Sequence, residues 1–352
     1  MGRVTLQTVA DKVGVSRMTV SNAFSRPDQL STHLRARILA TAQELGYAGP
    51  DPAARALARG TAGSVGVLMT DSLTYAFTDE VATGFLGAIT EQLAPTGLAL
   101  TLLSSSAHGD LVPARDVPID GALVYSCDLD SASVDWLSRR GLPLVFVDQE
   151  PPADAPSVNV DDRGGARAAA QHLVDLGHRR IGILTAEHAG PHGVLVPAHT
   201  ASEHHVARAR MLGWTDALTA AGIEPLVVRE ALVREEAAYQ AARVLLDRDD
   251  RPTAILCFAD VMAHWAVRAA EDAGLRVPED LSVVGFDDSP LARRMRPELT
   301  TVRQPVAEKG RAAAAALTEA IELAQQGKPP RVRHVVLPTE LVIRESTGPA
   351  SA

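Results

Sequence analysis

The first apolar pattern in the chain has a helical period. Leu6, Val9, Ala10 and Val13 recur at i, i+3, i+4 and i+7, which predicts one amphipathic helix. Thr5 is placed to cap it, because a threonine oxygen accepts an otherwise unpaired amide of the first turn. Gly14 supplies the backbone freedom of a sharp turn. Ser16 is placed to cap a second helix, with Val20, Ala23 and Phe24 facing inward and Arg17, Met18, Ser21 and Asn22 facing out. Ser31-Thr32 opens a third helix, with Leu34, Ile38, Ala42 and Leu45 on one face and Gly46 at its end. The result is a small all-α head with a thin core. A helix-turn-helix lays the start of its second helix against base edges in the DNA major groove. Arginine pairs there with guanine and asparagine with adenine. The same pattern is compatible with an ordinary helical hairpin.

Gly49, Pro50 and Pro52 break the third helix, and Pro52 suits the first turn of a new one. The segment AARALARG ends at Gly60 and is only about two turns long, a length that is marginal in isolation. Residues 50–61 are therefore expected to be helical only when something holds them. From Ser64 onward the pattern changes. Val65–Met69, Leu98–Leu103, Gly121–Tyr125, Pro143–Val147, Ile181–Leu184, Pro225–Val228, Ala254–Phe258 and Ser282–Phe286 read as short buried strands. Helical segments at 79–94, 161–176, 205–221, 235–248 and 262–273 separate most of them. Apolar strands alternating with helices predict parallel, doubly wound α/β units, and the length after residue 61 calls for two. Residues 187–205 form a long polar, His-rich stretch. Apart from the adjacent His204-His205 it shows no metal-ligand frame, so a solvated loop is expected rather than a metal centre.

The net charge of −9 looks wrong for a DNA-binding chain until it is divided. Residues 1–60 hold eight Lys/Arg and four Asp/Glu, which leaves −13 on the remainder. A basic head attracts phosphate while an acidic body stays in solution. No apolar run of about 20 residues exists to span a membrane, and the N-terminus lacks the apolar core of a secretion signal. Cys127 and Cys257 lie far apart, without metal-ligand spacing, and read as small core residues of a protein in a reducing cytoplasm. The chain has no G-x-S-x-G, Gly-rich phosphate loop, zinc pattern or Cys–His dyad, so an enzyme is not expected. The adjacent Asp287-Asp288 pair suits binding and capping.

Collinear fragments now point to one family. VTLQTVADKVGVSRMTVSNAF, LGYAGPDPAARALARG, IDGALV, GLPLVFVDQE and VNVDDRGGARAAAQHLVDLGHRRIGIL occur in order. ARARMLGWTDAL, PTAILCFADVMA, DLSVVGFDD, LTTVRQP and VLPTELVIREST follow. Together they resemble the LacI/GalR family of bacterial transcription regulators nearly end to end. The resemblance implies a head at 1–49, a hinge at 50–61 and a periplasmic-binding-protein-like core at 62–352. The core would be two α/β lobes around a ligand cleft. Three chain crossings are expected, near Asp161, Pro290 and Gly327, with lobe one at about 62–161 and 291–327 and lobe two at about 162–290 and 328–346. The resemblance also implies a repressor that reads a near-palindromic double-stranded DNA operator as a homodimer, with no cofactor. The C-terminus has no leucine heptad for a tetramer. A solute-binding protein of the same core is the competing reading, opposed by the basic head and the missing secretion signal.

In this family two hinge helices enter the minor groove and a leucine pries open a base step. Leu57 occupies that position, with Ala54 one turn earlier on the same face. Arg17, Met18 and Asn22 fall where the family reads bases, Met18 suiting a thymine methyl. Thr5, Ser16, Thr19, Ser21 and His33 are expected to contact phosphate or to cap helices. For the effector, Arg208 and Asp287 match the family's polar grips. Asp260 follows a strand in the same way, and Asp71, Tyr75 and Phe77 could line the opposite wall, with Asp128 a further candidate. Ala259 stands where the family commonly has Asn or Ser, Trp265 where it has a small residue and Val233 about where several members carry an aromatic. These departures, with the insert at 187–205, imply a cleft of changed shape. A sugar or sugar derivative is expected by analogy alone.

Overall fold

The computed structural model describes every residue except 1–3, 50, 52–55, 57–59, 70–72, 106–111, 127–130, 151, 188–191, 196–201, 203, 231–234 and 352. Its contacts divide into two units, Met1–Gly63 and Ser64–Ala352.

In the first unit, α1 (Leu6–Val13), α2 (Arg17–Ser25) and α3 (Thr32–Glu44) form because their starts and stops are chemically marked. Thr5 and Thr8 make a reciprocal capping box on α1. Ser16 Oγ accepts the Thr19 amide at 3.0 Å, and Ser31 Oγ accepts the Leu34 amide at 3.3 Å. Gly14 ends α1 in the left-handed region at φ +77°. Val9, Ala10, Val20, Ala23, Ile38 and Ala42 make the core, and Phe24 meets Tyr47 edge-on at 5.8 Å. Arg35 and Arg37 donate to the carbonyls of Ala23 and Val13, near the ends of α2 and α1, where cations favour exposed helix carbonyls.

The second unit holds two sheets. Its chain begins with β1 (Ser64–Met69), α4 (Tyr75–Thr78), α5 (Glu80–Leu93), β2 (Ala99–Ser104), α6 (Pro113–Asp116), β3 (Ala122–Tyr125), α7 (Ala132–Arg139), β4 (Leu144–Val147) and β5 (Ser157–Val160). It continues through α8 (Asp162–Asp175), β6 (Ile181–Ala186), β7 (Gly193–Val194), α9 (His205–Ala220), β8 (Leu226–Glu230), α10 (Glu235–Leu246), β9 (Ala254–Cys257) and α11 (Asp260–Asp272). It ends with β10 (Ser282–Asp287), α12 (Pro290–Arg294), β11 (Thr300–Arg303), α13 (Val306–Gln325), β12 (His334–Leu337) and β13 (Glu340–Val342). Lobe one carries the order β12-β5-β4-β3-β1-β2, all parallel. Lobe two carries β13-β11-β10-β9-β6-β8-β7, parallel except for its two edge strands. Fully buried strands such as Ile181–Ala186 explain the unbroken apolar runs.

The chain passes between lobes three times. The first passage, at Asp161, lies between β5 and α8. The second falls at Gln304-Pro305 rather than near Pro290, because β11 pairs with β10 and keeps residues 300–303 in lobe two. The third falls at residues 338–339 rather than near Gly327, because β12 pairs with β5 of lobe one. Both strands are short and β11 is polar in sequence. Thr300 and Thr301 are nevertheless fully buried, their hydroxyls bonded to Thr347 and Asp260. The stretch 187–205 is not wholly a solvated loop either. Within it β7 pairs antiparallel with β8, and Leu195 and Ser202 are buried.

Candidate functional site

On the head, α2 presents a polar face over the apolar core. Arg17 is exposed and Met18 is 69% exposed, an unusual cost for a thioether unless something covers it. Asn22 lies on the same helix and donates from Nδ2 to Gln29 Oε1 at 3.0 Å, which fixes the orientation of its amide. Thr5 and Ser16 are exposed and serve as caps, and Ser16 Oγ lies 2.8 Å from Thr19 Oγ1. Ser21 is half-buried and its carbonyl accepts the Ser25 hydroxyl, while His33 is exposed in the first turn of α3. Ala54 and Leu57 lie outside the described residues.

In the second unit, backbone strain marks one end of the sheets. Among the described residues the non-glycine positions at positive φ are Ser126, Asp148, Asp287 and Asp288. Each ends or follows β3, β4 or β10 at its carboxyl end, where ligands bind in open α/β folds. Such strain persists where the surroundings over-determine it, often at functional positions.

Arg210 is the centre of this region. It is 4% exposed, donates from Nε to Asp162 Oδ1 at 2.8 Å and from Nη1 to the Phe258 carbonyl at 2.5 Å. Its Nη2 lies 3.6 Å from Asp287 Oδ1. The Arg210 guanidinium carbon lies over the rings of Phe258 and Phe286, 4.6 and 3.6 Å from their centroids, a cation–π arrangement that favours the buried charge. Burial opposes the Arg210 charge, but Asp162 and Asp287 outweigh it and raise its pKa. Burial likewise raises the Asp162 pKa against the pull of Arg210.

A second chain of contacts runs through the crossing. Gln304 Nε2 donates to Asp287 Oδ1 at 2.7 Å, and its Oε1 accepts Lys309 Nζ at 2.9 Å. Lys309, fully buried, also donates to Asp148 Oδ2 and sits 5.9 and 5.8 Å from the ring centroids of Phe85 and Tyr125. Asp148 belongs to lobe one and Asp287 to lobe two, so a single relay joins carboxylates of both lobes. Burial pushes the Asp287 pKa up to about 7, against Arg210.

Asp260 is buried beneath this group. It accepts the Thr301 hydroxyl at 2.5 Å and the Ser289 amide at 2.7 Å, and burial raises its pKa well above the usual carboxylate range. Gly285 makes room for it, since a Cβ there would stand 2.3 Å from Asp260 Oδ1. Asp260 thus braces β10, β11 and the start of α12. The neighbouring Asp288 is paired instead with Arg303 and Arg344; burial works to raise its pKa, but those two bonds hold it low.

The sequence-predicted wall is only partly assembled. Arg208 lies at the rim, 40% exposed, and pairs at 3.0 Å with Glu150 of the opposite lobe. Beside it His204 Nε2 lies 2.9 Å from Ser126 Oγ, again across the lobes. Trp265 packs edge-on against Tyr239 between α11 and α10, at 6.4 Å, in the core of lobe two rather than among the buried charges. Phe77 is 71% exposed. Asp71, Asp128 and Val233 lie outside the described residues, as does the side chain of Tyr75. Cys257 is buried, and burial pushes its thiol pKa up, while Cys127 is not described.

Sequence reasoning missed Arg210, Asp148, Asp162, Gln304 and Lys309. For Arg210 a signal existed. Val206, Arg210, Trp214 and Ala217 share one face of α9, and that face is the buried one. An arginine on an apolar stripe needs acids to meet it, whereas Arg208 sits off that stripe.

Residues 5–49 match the family described as bacterial regulatory proteins, lacI family, and residues 170–347 match a periplasmic binding protein-like domain. An HTH-type transcriptional regulator of Mycolicibacterium smegmatis is 40% identical over 329 residues, covering 88% of this chain and 89% of that protein. The structure of a lac repressor dimer bound to operator and an anti-inducer superposes with a TM-score of 0.78 at 27% identity, covering 99% and 100% of the two chains. A complex of the transcriptional regulator CelR with cellobiose gives 0.69 at 29% identity, covering 98% and 100%.

Proposed function

The chain belongs to the lacI family of bacterial regulatory proteins, a DNA-binding transcriptional regulator family, and on that premise we propose that it is an effector-controlled repressor. It binds a near-palindromic operator as a homodimer in the cytoplasm. Arg17, Met18 and Asn22 read bases, Thr5, Ser16, Thr19, Ser21 and His33 seat the head on phosphate, and Leu57 with Ala54 wedges the minor groove. A sugar or sugar derivative occupies the cleft between the lobes. Arg210, Asp287, Asp148 and Asp162 form its floor, with the Arg208–Glu150 pair at the rim. The effector regulates only if it binds the DNA-bound and free forms with different affinity.

The observation that carries this reading is the presence in one chain of an exposed reading helix and a strained, buried-charge floor where two lobes meet. Selection of bound sequences from random duplex DNA by the full-length protein, at stated salt, tests it. A near-palindrome with a flexible central step is expected, released by one member of a sugar panel. If no sequence is enriched with or without sugars, the reading fails.

A further inference from the structure

The polar face of α2 carries an amide whose orientation is set by a neighbour, an inference that rests on reading Asn22 as a base contact. A short 3-10 turn at Pro27–Gln29 follows α2. It brings Gln29 back beside Asn22, seven positions earlier, and Asn22 Nδ2 donates to Gln29 Oε1 at 3.0 Å. Asn22 is half-buried and Gln29 is exposed. Among the described residues, Asn22 Oδ1 and Gln29 Nε2 have no partner.

A side-chain amide has two orientations related by a half-turn, and one puts oxygen where the other puts nitrogen. Each suits a different base edge. With Nδ2 toward Gln29, Asn22 keeps Oδ1 and one N–H for DNA. Adenine presents an acceptor, N7, beside a donor, N6, in the major groove, and an N–H beside an oxygen matches that pair. Turned over, Asn22 would set Oδ1 against Gln29 Oε1, two acceptors with no proton between them. That arrangement is disfavoured unless Gln29 turns as well and offers Nε2. The choice therefore passes to Gln29. Its two free Nε2–H donors suit a phosphate oxygen, which accepts and cannot donate. A phosphate that takes Nε2 leaves Oε1 for Asn22, and the amide stays as found.

We propose that Gln29 is a positioning residue for Asn22: held by a DNA phosphate, it fixes the Asn22 amide and so directs that contact to adenine. A backbone contact, which carries no sequence information itself, thereby sets a base preference.

The test is binding of the full-length protein to its selected operator and to copies changed at each base pair, at one stated salt concentration. Asn22→Ala first locates the position at which discrimination relaxes. There the parent is expected to prefer adenine by about 5- to 150-fold, the range that one bidentate base contact supports. Gln29→Met removes acceptor and donor together. The freed amide turns either way, and the preference should fall several-fold at that position alone. Gln29→Lys keeps a donor for phosphate but offers no acceptor, so Asn22 must turn Oδ1 to it and present N–H groups to the base. The preference should then move toward guanine, whose N7 and O6 both accept. Gln29→Glu still accepts Nδ2 but repels phosphate, and should keep the adenine preference while affinity falls alike for all sequences. Each readout is a ratio within one variant, so an even loss of head stability does not imitate it. A parental preference for another base at the Asn22 position, or an unchanged preference in Gln29→Met and Gln29→Lys, would overturn the proposal and leave Asn22 as a base contact. If Asn22→Ala relaxes no single position, the base-contact reading fails and the proposal with it.

Discussion

The head and the cleft place their polar side chains in opposite ways. The head gathers a small apolar core of Val9, Ala10, Val20, Ala23, Ile38 and Ala42 and leaves Arg17 and Met18 outside it. The cleft places Arg210, Lys309, Asp148, Asp162 and Asp287 inside, each committed to another. On the proposed reading, folding and recognition in the head rest on different side chains and can be changed separately. That reading asks both of the same side chains in the cleft, because a buried charge stripped of its partner destabilises the fold.

Arg210→Met offers the largest test of that difference. It leaves Asp162 and Asp287 buried without their cation and should cost about 3–5 kcal/mol, read from urea unfolding of the second unit. Sugar binding should be lost in the same variant. A stability within about 1 kcal/mol of the parent would place Arg210 among ordinary surface charges. The matching test in the head is Ile38→Ala, which removes buried methylenes from a core with few others. It should cost about 2–5 kcal/mol, confined to the unfolding transition of the head in calorimetry, since the two units divide at residues 63 and 64.

The contrast also explains what the sequence could tell. The head was legible because its apolar period, caps and turn are local: Thr5, Gly14, Ser16 and Ser31 act where their spacing predicts. Most of the parallel strands were legible as unbroken apolar runs, but β5, β11 and β12, which are parallel too, were not. What escaped was polar and long-range. Thr300 and Thr301 look like loop residues until Thr347 and Asp260 satisfy their hydroxyls, so β11 and the second crossing were misplaced. Lys309 and Asp148 stand 161 positions apart, and no periodicity announces a contact made by a chain that returns to lobe one. Trp265, too, takes its place from a contact distant in sequence, packing edge-on against Tyr239.

Asp287 gives the comparison a pH dependence. Its carboxyl titrates near pH 7 in the folded protein, against an ordinary value of 3.8, with Arg210, Gln304, Asp79, Asp260 and Lys309 around it. Between pH 4 and 7 the folded state therefore holds more protons than the unfolded state, and this group's contribution to stability falls as pH rises. Asp287→Asn should stabilise the second unit at pH 8 relative to the parent, with the gain shrinking toward pH 4. Binding of a neutral sugar, which needs the ionised acceptor, should strengthen from pH 6 to pH 8. A flat profile in both measurements would show that Asp287 stays ionised throughout.

In the head, Asn22→Ala removes an amide from the polar face of α2 without touching the core. Operator affinity should fall by about 1–3 kcal/mol, as for the loss of one base contact, while the melting of the head stays near the parent's. Discrimination at one operator position should relax. A loss spread evenly over all sequences would mark Asn22 as a phosphate contact instead.

Arg208→Ala is the smallest effect and the sharpest control, because Arg208 and Arg210 differ by two positions on one helix. The Arg208 side chain is 40% exposed and that of its partner Glu150 is 67% exposed. Water screens such a pair, so its loss should cost no more than about 1 kcal/mol. The pair nevertheless joins opposite lobes, so removing it should shift the balance between apposed and separated lobes without altering the floor. Sugar affinity is then expected to fall by less than about tenfold, within that same 1 kcal/mol. If Arg208→Ala instead abolishes binding while Arg210→Met retains it, the recognition arginine lies at the rim, and the buried charges serve folding alone.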